Sequence, residues 1–153
     1  VARTLEEGEL AGTKAKPKLD HALASVPLVE GLSKRQLKRL ASSAQVVDYM
    51  AGASVVREGD DGDSFFVVLS GQAKVTVKGR TVNRSLPGDH FGEISLLDGG
   101  PRTASVVTET PVTMMMLERP QFRKAVKEDP ALALALLESL ARMIRRVDRS
   151  LAR

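Results

Sequence analysis

Hydrophobic positions along the chain follow two different periods. Leu19, Ala22 and Leu23 share one helical face, and the pattern stops near Pro27, where a helix is disfavoured. Ser33-Lys34-Arg35-Gln36 has the S-x-x-Q spacing of a capping box, and Leu37, Leu40 and Ala41 follow at helical spacing, which predicts a helix over 33–43. The middle of the chain changes to short, β-rich runs at 46–49, 54–57, 65–69, 73–78, 81–86, 104–108 and 112–117. Val75 and Val77 alternate with Lys74, Thr76 and Lys78, as a half-buried strand requires. Turn signals separate these runs: Ala51-Gly52, Gly59 to Asp63, Ser70-Gly71, Lys78-Gly79-Arg80 and Pro87-Gly88-Asp89. Helical spacing returns at 119–126 and again after Pro130. There Leu132, Leu136, Leu140, Met143, Val147 and Leu151 step by four, four, three, four and four, which is one continuous face. Leu134, Leu137 and Ile144 widen that stripe, so the last helix must pack on the β unit, on a partner chain, or on both.

Several short strands with close turns point to a sandwich or barrel between helical ends, an α+β architecture. Residues 1–18 mix charge, Gly and Pro without a period and read as a flexible lead-in, leaving 19–153 as one domain. Aromatics are 3% of the 153 residues, so the core must be built from Val, Leu, Ile, Met and Ala. The absence of cysteine excludes disulfides, zinc–thiolate sites and a cysteine nucleophile. No apolar run approaches the roughly 20 residues of a membrane span, and no signal-peptide pattern opens the chain, so the expectation is a cytoplasmic protein without membrane insertion. A chain that begins with Val is expected to be a fragment or a processed product.

Net charge is +4, and its densest cluster is Arg142, Arg145, Arg146, Arg149 and Arg153, which reads as a solvated helix face rather than a nucleic-acid contact. Met114-Met115-Met116 reads as core filling. The two histidines, His21 and His90, are too few for a cupin-type metal site, and His90 reads as a turn residue. No G-x-S-x-G occurs, and Glu58, Asp60, Asp61 and Asp63 lack EF-hand spacing and read as a solvated turn. These features predict no catalytic residue, no metal and no cofactor.

The chemistry concentrates in 91–107, FGEISLLDGGPRTASVV. Glu93 to Leu97 can make one helical turn, and a helix start presents unpaired N–H groups to an anion. Gly99, Gly100 and Pro101 turn the chain back, so that Arg102 can offer its planar fork to the same place. Glu93 does not belong beside a phosphate: like charges about 4 Å apart cost on the order of 4 kcal/mol at an effective dielectric of 20. An ionised carboxylate only accepts hydrogen bonds, so Glu93 calls for a donor next to the phosphate, such as a ribose hydroxyl. Phosphate with an adjacent ribose means a nucleotide. The same residues also read as a surface ion pair across a loop, and Arg102 is expected to pair with Glu93 when no ligand is bound.

Phe91-Gly92-Glu93-Ile94-Ser95-Leu96-Leu97, the Gly-rich turn and Arg102-Thr103-Ala104-Ser105-Val106 resemble the phosphate-binding cassette of cyclic-nucleotide-binding domains. Such domains occur in regulatory subunits of cyclic-AMP-dependent kinase, cyclic-nucleotide-gated channels and the bacterial catabolite activator protein. The run from Glu58 to Gly71 (EGDDGDSFFVVLSG) is similar to a second family motif, and Leu86 to Glu93 (LPGDHFGE) to the family's approach to the cassette. The resemblance implies an eight-stranded antiparallel β-roll, of double-stranded β-helix or jelly-roll type, flanked by N-terminal and C-terminal helices. It places the cyclic phosphate on Arg102 and on backbone N–H groups around Ile94 and Ser95. It places the ribose 2′-hydroxyl on Glu93, with the Gly92 backbone close by. Thr103 would add its hydroxyl to the phosphate or the base, and Phe91 and Ala104 complete the ligand-binding stretch.

On the base side, counting back from Glu93 puts Val75, Asn83 and Ser85 on the roll interior with one parity in their strands, although Val75 reads equally as plain core. The family often caps the base from a following helix. No aromatic follows Phe122, so Arg142, Met143, Arg145 or Arg146 is left to stack there. Thr103 resembles cyclic-GMP-selective kinases, but cassettes with R-T-A-S-V also answer cyclic AMP, the preferred ligand here. The expectation is a non-catalytic cyclic-AMP or cyclic-GMP sensor that signals by movement of its flanking helices. Its expected partners are the nucleotide, a second copy through the last helix, or an effector domain outside the sequence, and not nucleic acid. The alternatives are a fragment of a cyclic-AMP-responsive DNA-binding regulator and a structural roll that binds nothing.

Overall fold

Phe65 to Leu69 is an unbroken apolar run, which a strand tolerates only when both of its faces are covered. In the computed structural model, which describes residues 2–4 and 18–151, this run lies inside β4 (Ser64–Ser70), where Ser64 to Val68 are buried and Leu69 partly so. The order of elements is β1 (Ala2–Thr4), α1 (Leu19–Ala24), a 3-10 turn (Pro27–Val29), α2 (Lys34–Ser42), β2 (Gln45–Tyr49), β3 (Ser54–Val56), β4, β5 (Ala73–Val77), β6 (Arg80–Ser85), β7 (His90–Phe91), α3 (Glu93–Asp98), β8 (Ser105–Thr108), β9 (Val112–Glu118), α4 (Arg119–Glu128) and α5 (Pro130–Leu151). The strands form two antiparallel sheets, ordered β1-β2-β9-β4-β7 and β3-β8-β5-β6. Strands β2 to β9 are the eight strands of the expected roll.

Alternation along the shared strands sorts side chains into two cores. Phe65, Val67, Met115 and Leu117 point outward from β4 and β9 to meet Leu23, Leu28 and Leu40 from the N-terminal helical segments, and Leu96, Phe122, Leu132 and Leu136 from α3, α4 and α5. Phe66, Val68, Met114 and Val112 point inward and pack with Ala73 and Val106 of the other sheet. The three methionines therefore divide between the cores: Met115 joins the helix side, while Met114 and Met116 belong to the roll interior.

The helical ends carry the signals read from the sequence. Ser33 accepts from the Gln36 backbone at 3.2 Å, and Gln36 accepts from the Ser33 backbone at 2.9 Å, completing the capping box of α2. In α5 the first half of the apolar stripe packs down on the helix-side core, with Leu132 and Leu136 buried and Leu140 and Met143 partly so. Val147 and Leu151 continue that stripe into solvent, and Leu134, Leu137 and Ile144 are exposed as well.

The lead-in departs from expectation at its start. Ala2–Thr4 is a strand that pairs with β2, Ala2 opposite Tyr49 and Thr4 opposite Val47. β2 would otherwise present a row of unpaired backbone groups, and an open edge recruits any extended segment within reach. The rest of the expected lead-in, 5–17, lies outside the described residues.

Met115 is fully buried, whereas Met50 is 70% exposed. Met115→Ala is expected to cost about 2–5 kcal/mol and Met50→Ala less than about 0.5 kcal/mol. Urea midpoints at unchanged slope would measure both.

Candidate functional site

β7 delivers the chain to the site, and Gly92 turns it into α3. Gly92 is the N-cap of α3 with φ 94° and ψ 9°, the left-handed region that side chains with a Cβ avoid. A Cβ there would also stand 2.6 Å from the Ser64 carbonyl oxygen and 2.7 Å from a guanidinium nitrogen of Arg102. α3 is closed onto its return turn: the Ser95 hydroxyl donates to the Gly100 carbonyl at 3.2 Å, and the Gly100 N–H donates to Asp98 at 2.7 Å. Ser95 therefore uses its side chain on the loop and leaves its backbone to the site.

Arg102 is 9% exposed, unusually deep for a guanidinium. It lies against Gly62, where a Cβ would collide with its side chain. Its Nη1 donates to the Ser64 carbonyl at 2.8 Å, and its guanidinium carbon sits 6.0 Å from the centre of the Phe66 ring. Burial lowers its pKa from the ordinary arginine value, and the charge of Asp63 opposes that shift. A guanidinium has five donors, so the bond to Ser64 anchors one arm and leaves the fork able to meet an anion.

The acidic turn before β4 does more than face solvent. The Gly59 N–H donates to the Arg102 carbonyl at 2.9 Å, the Arg102 N–H to the Asp60 carbonyl at 2.8 Å, and the Gly62 N–H to the Gly100 carbonyl at 3.1 Å. Asp61 and Pro101 form an antiparallel bridge. The side chains of Glu58, Asp60, Asp61 and Asp63 are exposed as expected, but the backbone beneath them pins the cassette at Gly100 to Arg102.

Glu93 does not pair with Arg102. Its Oε2 lies 3.4 Å from Nδ1 of His90, each side chain being one quarter exposed. Burial alone would raise the Glu93 pKa, but the His90 hydrogen bond, its own backbone N–H and the His90 charge outweigh it and hold it below the ordinary carboxylate value. The Glu93 hydrogen bond raises the His90 pKa against the effect of burial, and the charges of Glu93 and Asp89 add to that rise. His90 is thus a site residue and not merely part of a turn. The signal in the sequence is its i, i+3 spacing to Glu93, but that spacing crosses from strand to helix and no single period exposes it.

These groups enclose a cavity of about 230 Å³. Phe91, Gly92, Glu93, Ile94 and Ser95 line one side and Arg102, Thr103 and Ala104 the other, with His90 at hand. Phe91 stacks on Phe66 with ring centres 5.0 Å apart. Val56, Val106 and Val75 stand in register across β3, β8 and β5 and form an apolar wall. Val56 and Val106 were not among the residues expected there, although Val106 shares the strand parity of Ala104. Asn83 pairs with Val75 and extends the same row, but on exposed β6, outside the cavity lining. Ser85 is buried opposite Ala73, also outside the lining. β6 is the end strand of its sheet, beyond β5, and neither residue reaches the cavity lining.

The four suggested base caps are elsewhere. Arg146 pairs with Glu30 at 2.5 Å, Arg142 donates to Ser139 at 3.1 Å beside Gly31, Met143 packs on the helix-side core and Arg145 is exposed. The foot of α5 is committed to the 3-10 turn, not to the cavity. A larger groove of about 590 Å³ runs along α4 between Arg119 and Glu128, and its lining includes no residue of the cassette. Among the described residues no group of three or more His, Asp or Glu could hold a metal ion.

Comparison with known proteins agrees with this geometry. Residues 46–129 match the family model described as cyclic nucleotide-binding domain. The chain is 32% identical over 139 residues to the CRP-like cAMP-activated global transcriptional regulator of Mycobacterium tuberculosis, covering 88% of this chain and 62% of that one. It is 36% identical over 104 residues to the cAMP-dependent protein kinase regulatory subunit of Aspergillus niger, covering 67% of this chain and 25% of that one. The chain thus spans less than two thirds of the length of these relatives. Among solved structures, the N-terminal domain of a transcriptional regulator from Streptomyces coelicolor A3(2) superposes with a TM-score of 0.78 at 30% identity, over 84% of this chain and 95% of that one.

Gly92→Ala meets both the left-handed backbone and the Ser64 carbonyl, so it is expected to destabilise the fold by more than about 2 kcal/mol. Urea denaturation would measure it, and a change of a few tenths would contradict the close approach described above.

Proposed function

The chain belongs to the cyclic nucleotide-binding domain family, and from that premise we propose that it is a non-catalytic sensor of cyclic AMP, with cyclic GMP as the competing ligand. One observation carries the reading: a buried arginine and a held carboxylate line the same cavity beside an apolar wall. Arg102, with the backbone N–H groups at the start of α3, suits the cyclic phosphate. Glu93 suits the ribose 2′-hydroxyl, since its carboxylate can accept through one oxygen while His90 engages the other. Val56, Val75 and Val106 offer the base an apolar surface, and Thr103 stands where it can reach phosphate or base.

The output runs through the helices. Arg119, the first residue of α4, donates Nη2 to the Leu97 carbonyl of α3 at 3.4 Å, and α4 packs in turn against α5. A ligand that orders α3 would move this train, provided it binds the two arrangements with different affinity. The exposed apolar residues Leu137, Ile144, Val147 and Leu151 recur at heptad-like intervals, which suits a second copy of the chain.

A second reading is favoured by the names of two relatives, a global transcriptional regulator and the N-terminal domain of a transcriptional regulator. In it this chain is the sensing part of such a regulator, and DNA contact belongs to residues outside it. Among the described residues no helix is long and apolar enough to cross a membrane, and the cell interior is the proposed location.

Titration calorimetry with cyclic AMP and cyclic GMP tests the ligand. The wild type is expected to bind cyclic AMP more tightly. Arg102→Ala removes a charge-assisted contact worth roughly 1.5–3 kcal/mol, a loss of about tenfold or more in affinity. Unchanged affinity in that variant would overturn the assignment.

A further inference from the structure

Histidine at position 90 occupies a place that the phosphate and ribose contacts do not require. We infer that His90 is a further ligand-site residue: it holds the Glu93 carboxylate in place through Nδ1, and in its protonated form it adds positive charge to the cavity, so that binding of the cyclic nucleotide takes up a proton. This rests on the reading of the cavity as a cyclic-nucleotide site.

The geometry supplies both halves of the claim. His90 lines the cavity together with Arg102, and its Nδ1 is 3.4 Å from Glu93 Oε2. β7 fixes the ring's backbone through pairing of His90 with Val67 of β4, and the Phe65 ring lies 5.9 Å from the imidazole at a tilt of 41°. The imidazole thus sits on the helix-side face of β7 with Phe65 behind it, and meets the cavity at its edge through the Glu93 carboxylate. Two acidic groups act on it, Glu93 of α3 and Asp89 of the turn before β7, and Arg102 is the cation sharing its cavity. β4 contributes no charge to this contact.

The direction of the effect follows from these neighbours. The His90 pKa is raised from 6.5 by the Glu93 bond, so the ring carries its proton through the weakly acidic range and loses it as pH rises past the raised value. The Glu93 pKa is lowered from 4.5, so the carboxylate stays ionised over the same interval. An incoming phosphate anion favours the protonated ring further. Affinity therefore rises as pH falls through the His90 titration, while Arg102 supplies a charge that does not vary with pH. Neutral imidazole can still donate from Nδ1, so the positioning of Glu93 survives deprotonation and only the charge is lost.

Calorimetry with cyclic AMP at about pH 5.5 and about pH 8.5, on either side of the imidazole range, is the test, run in two buffers of different ionisation enthalpy. The wild type is expected to bind roughly fivefold more tightly at the lower pH, as one extra charge across a partly solvated cavity allows, with net proton uptake between the two. His90→Gln keeps a donor for Glu93 without titrating. Whatever its absolute affinity, it should bind equally at both pH values and lose the proton uptake. His90→Phe, lacking the donor, should bind more weakly at both. The sequence has two histidines, so NMR of the His21→Gln variant reads His90 alone in the folded protein. Its titration midpoint should move upward when cyclic AMP is added. Tight binding with no proton uptake, or the same pH dependence in His90→Gln, overturns this inference and leaves the ligand assignment standing. Absence of cyclic-nucleotide binding at every pH overturns the assignment itself.

Discussion

A buried guanidinium sets the terms for everything around it. Taking a cation out of water costs several kcal/mol unless partners replace its hydration, and Arg102 is almost completely enclosed. The Ser64 carbonyl, the charge of Asp63 and the face of Phe66 are the replacements. Room for the side chain comes from two positions without a Cβ, Gly62 and Gly92, on segments that are 30 residues apart in sequence. The cassette motif and the earlier E-G-D-D-G-D motif are therefore one structural unit. The first supplies the arginine and the second supplies its socket, and neither is complete alone.

The roll exists to bring those segments together. β4 carries Ser64 into the site on a strand covered on both faces, and β9 beside it repeats the alternation that separates helix-side from interior side chains. Valine and leucine do most of the filling, and on β9 the flexible thioethers of Met114 and Met115 fill both faces of the strand. The helices share the outer core with α3, whose Leu96 belongs to the same cluster as Phe122 and Leu132. α3 and α4 are also in direct contact, and α4 packs on α5. This mechanical link depends on packing and needs no long-range hydrogen-bond wire.

Much of this was legible in the sequence where one local rule governs. The capping box at Ser33 and Gln36 formed as written, the seven β-rich runs became strands with ends shifted by a residue or two, and the cassette residues came together around one cavity. What escaped depends on pairs distant in sequence. β1 exists because β2 has an edge to cover, and β7 is two residues long, too short for any period. Parity grouped Asn83 and Ser85 with Val75 but carries no information about how far β6 lies from the cavity, and neither residue lines it. Residues at the foot of α5 offered guanidinium and sulfur to a base, yet Glu30 and the helix-side core hold them elsewhere. Glu93 suggested Arg102 as its partner by charge, and the structure gave it His90 through a turn of backbone between strand and helix.

The stretch from Gly59 to Gly62 looks, by composition, like the most expendable loop of the chain: acidic, glycine-rich and exposed in its side chains. Its backbone is sewn to Gly100, Pro101 and Arg102 by three hydrogen bonds and a bridge. A protease that needs ten or so extended residues in its cleft would have to unpick the cassette to gain entry, and an inserted tag would unseat the arginine. The outward side chains of this loop are free of that clasp, while its backbone length has to match the segment it holds.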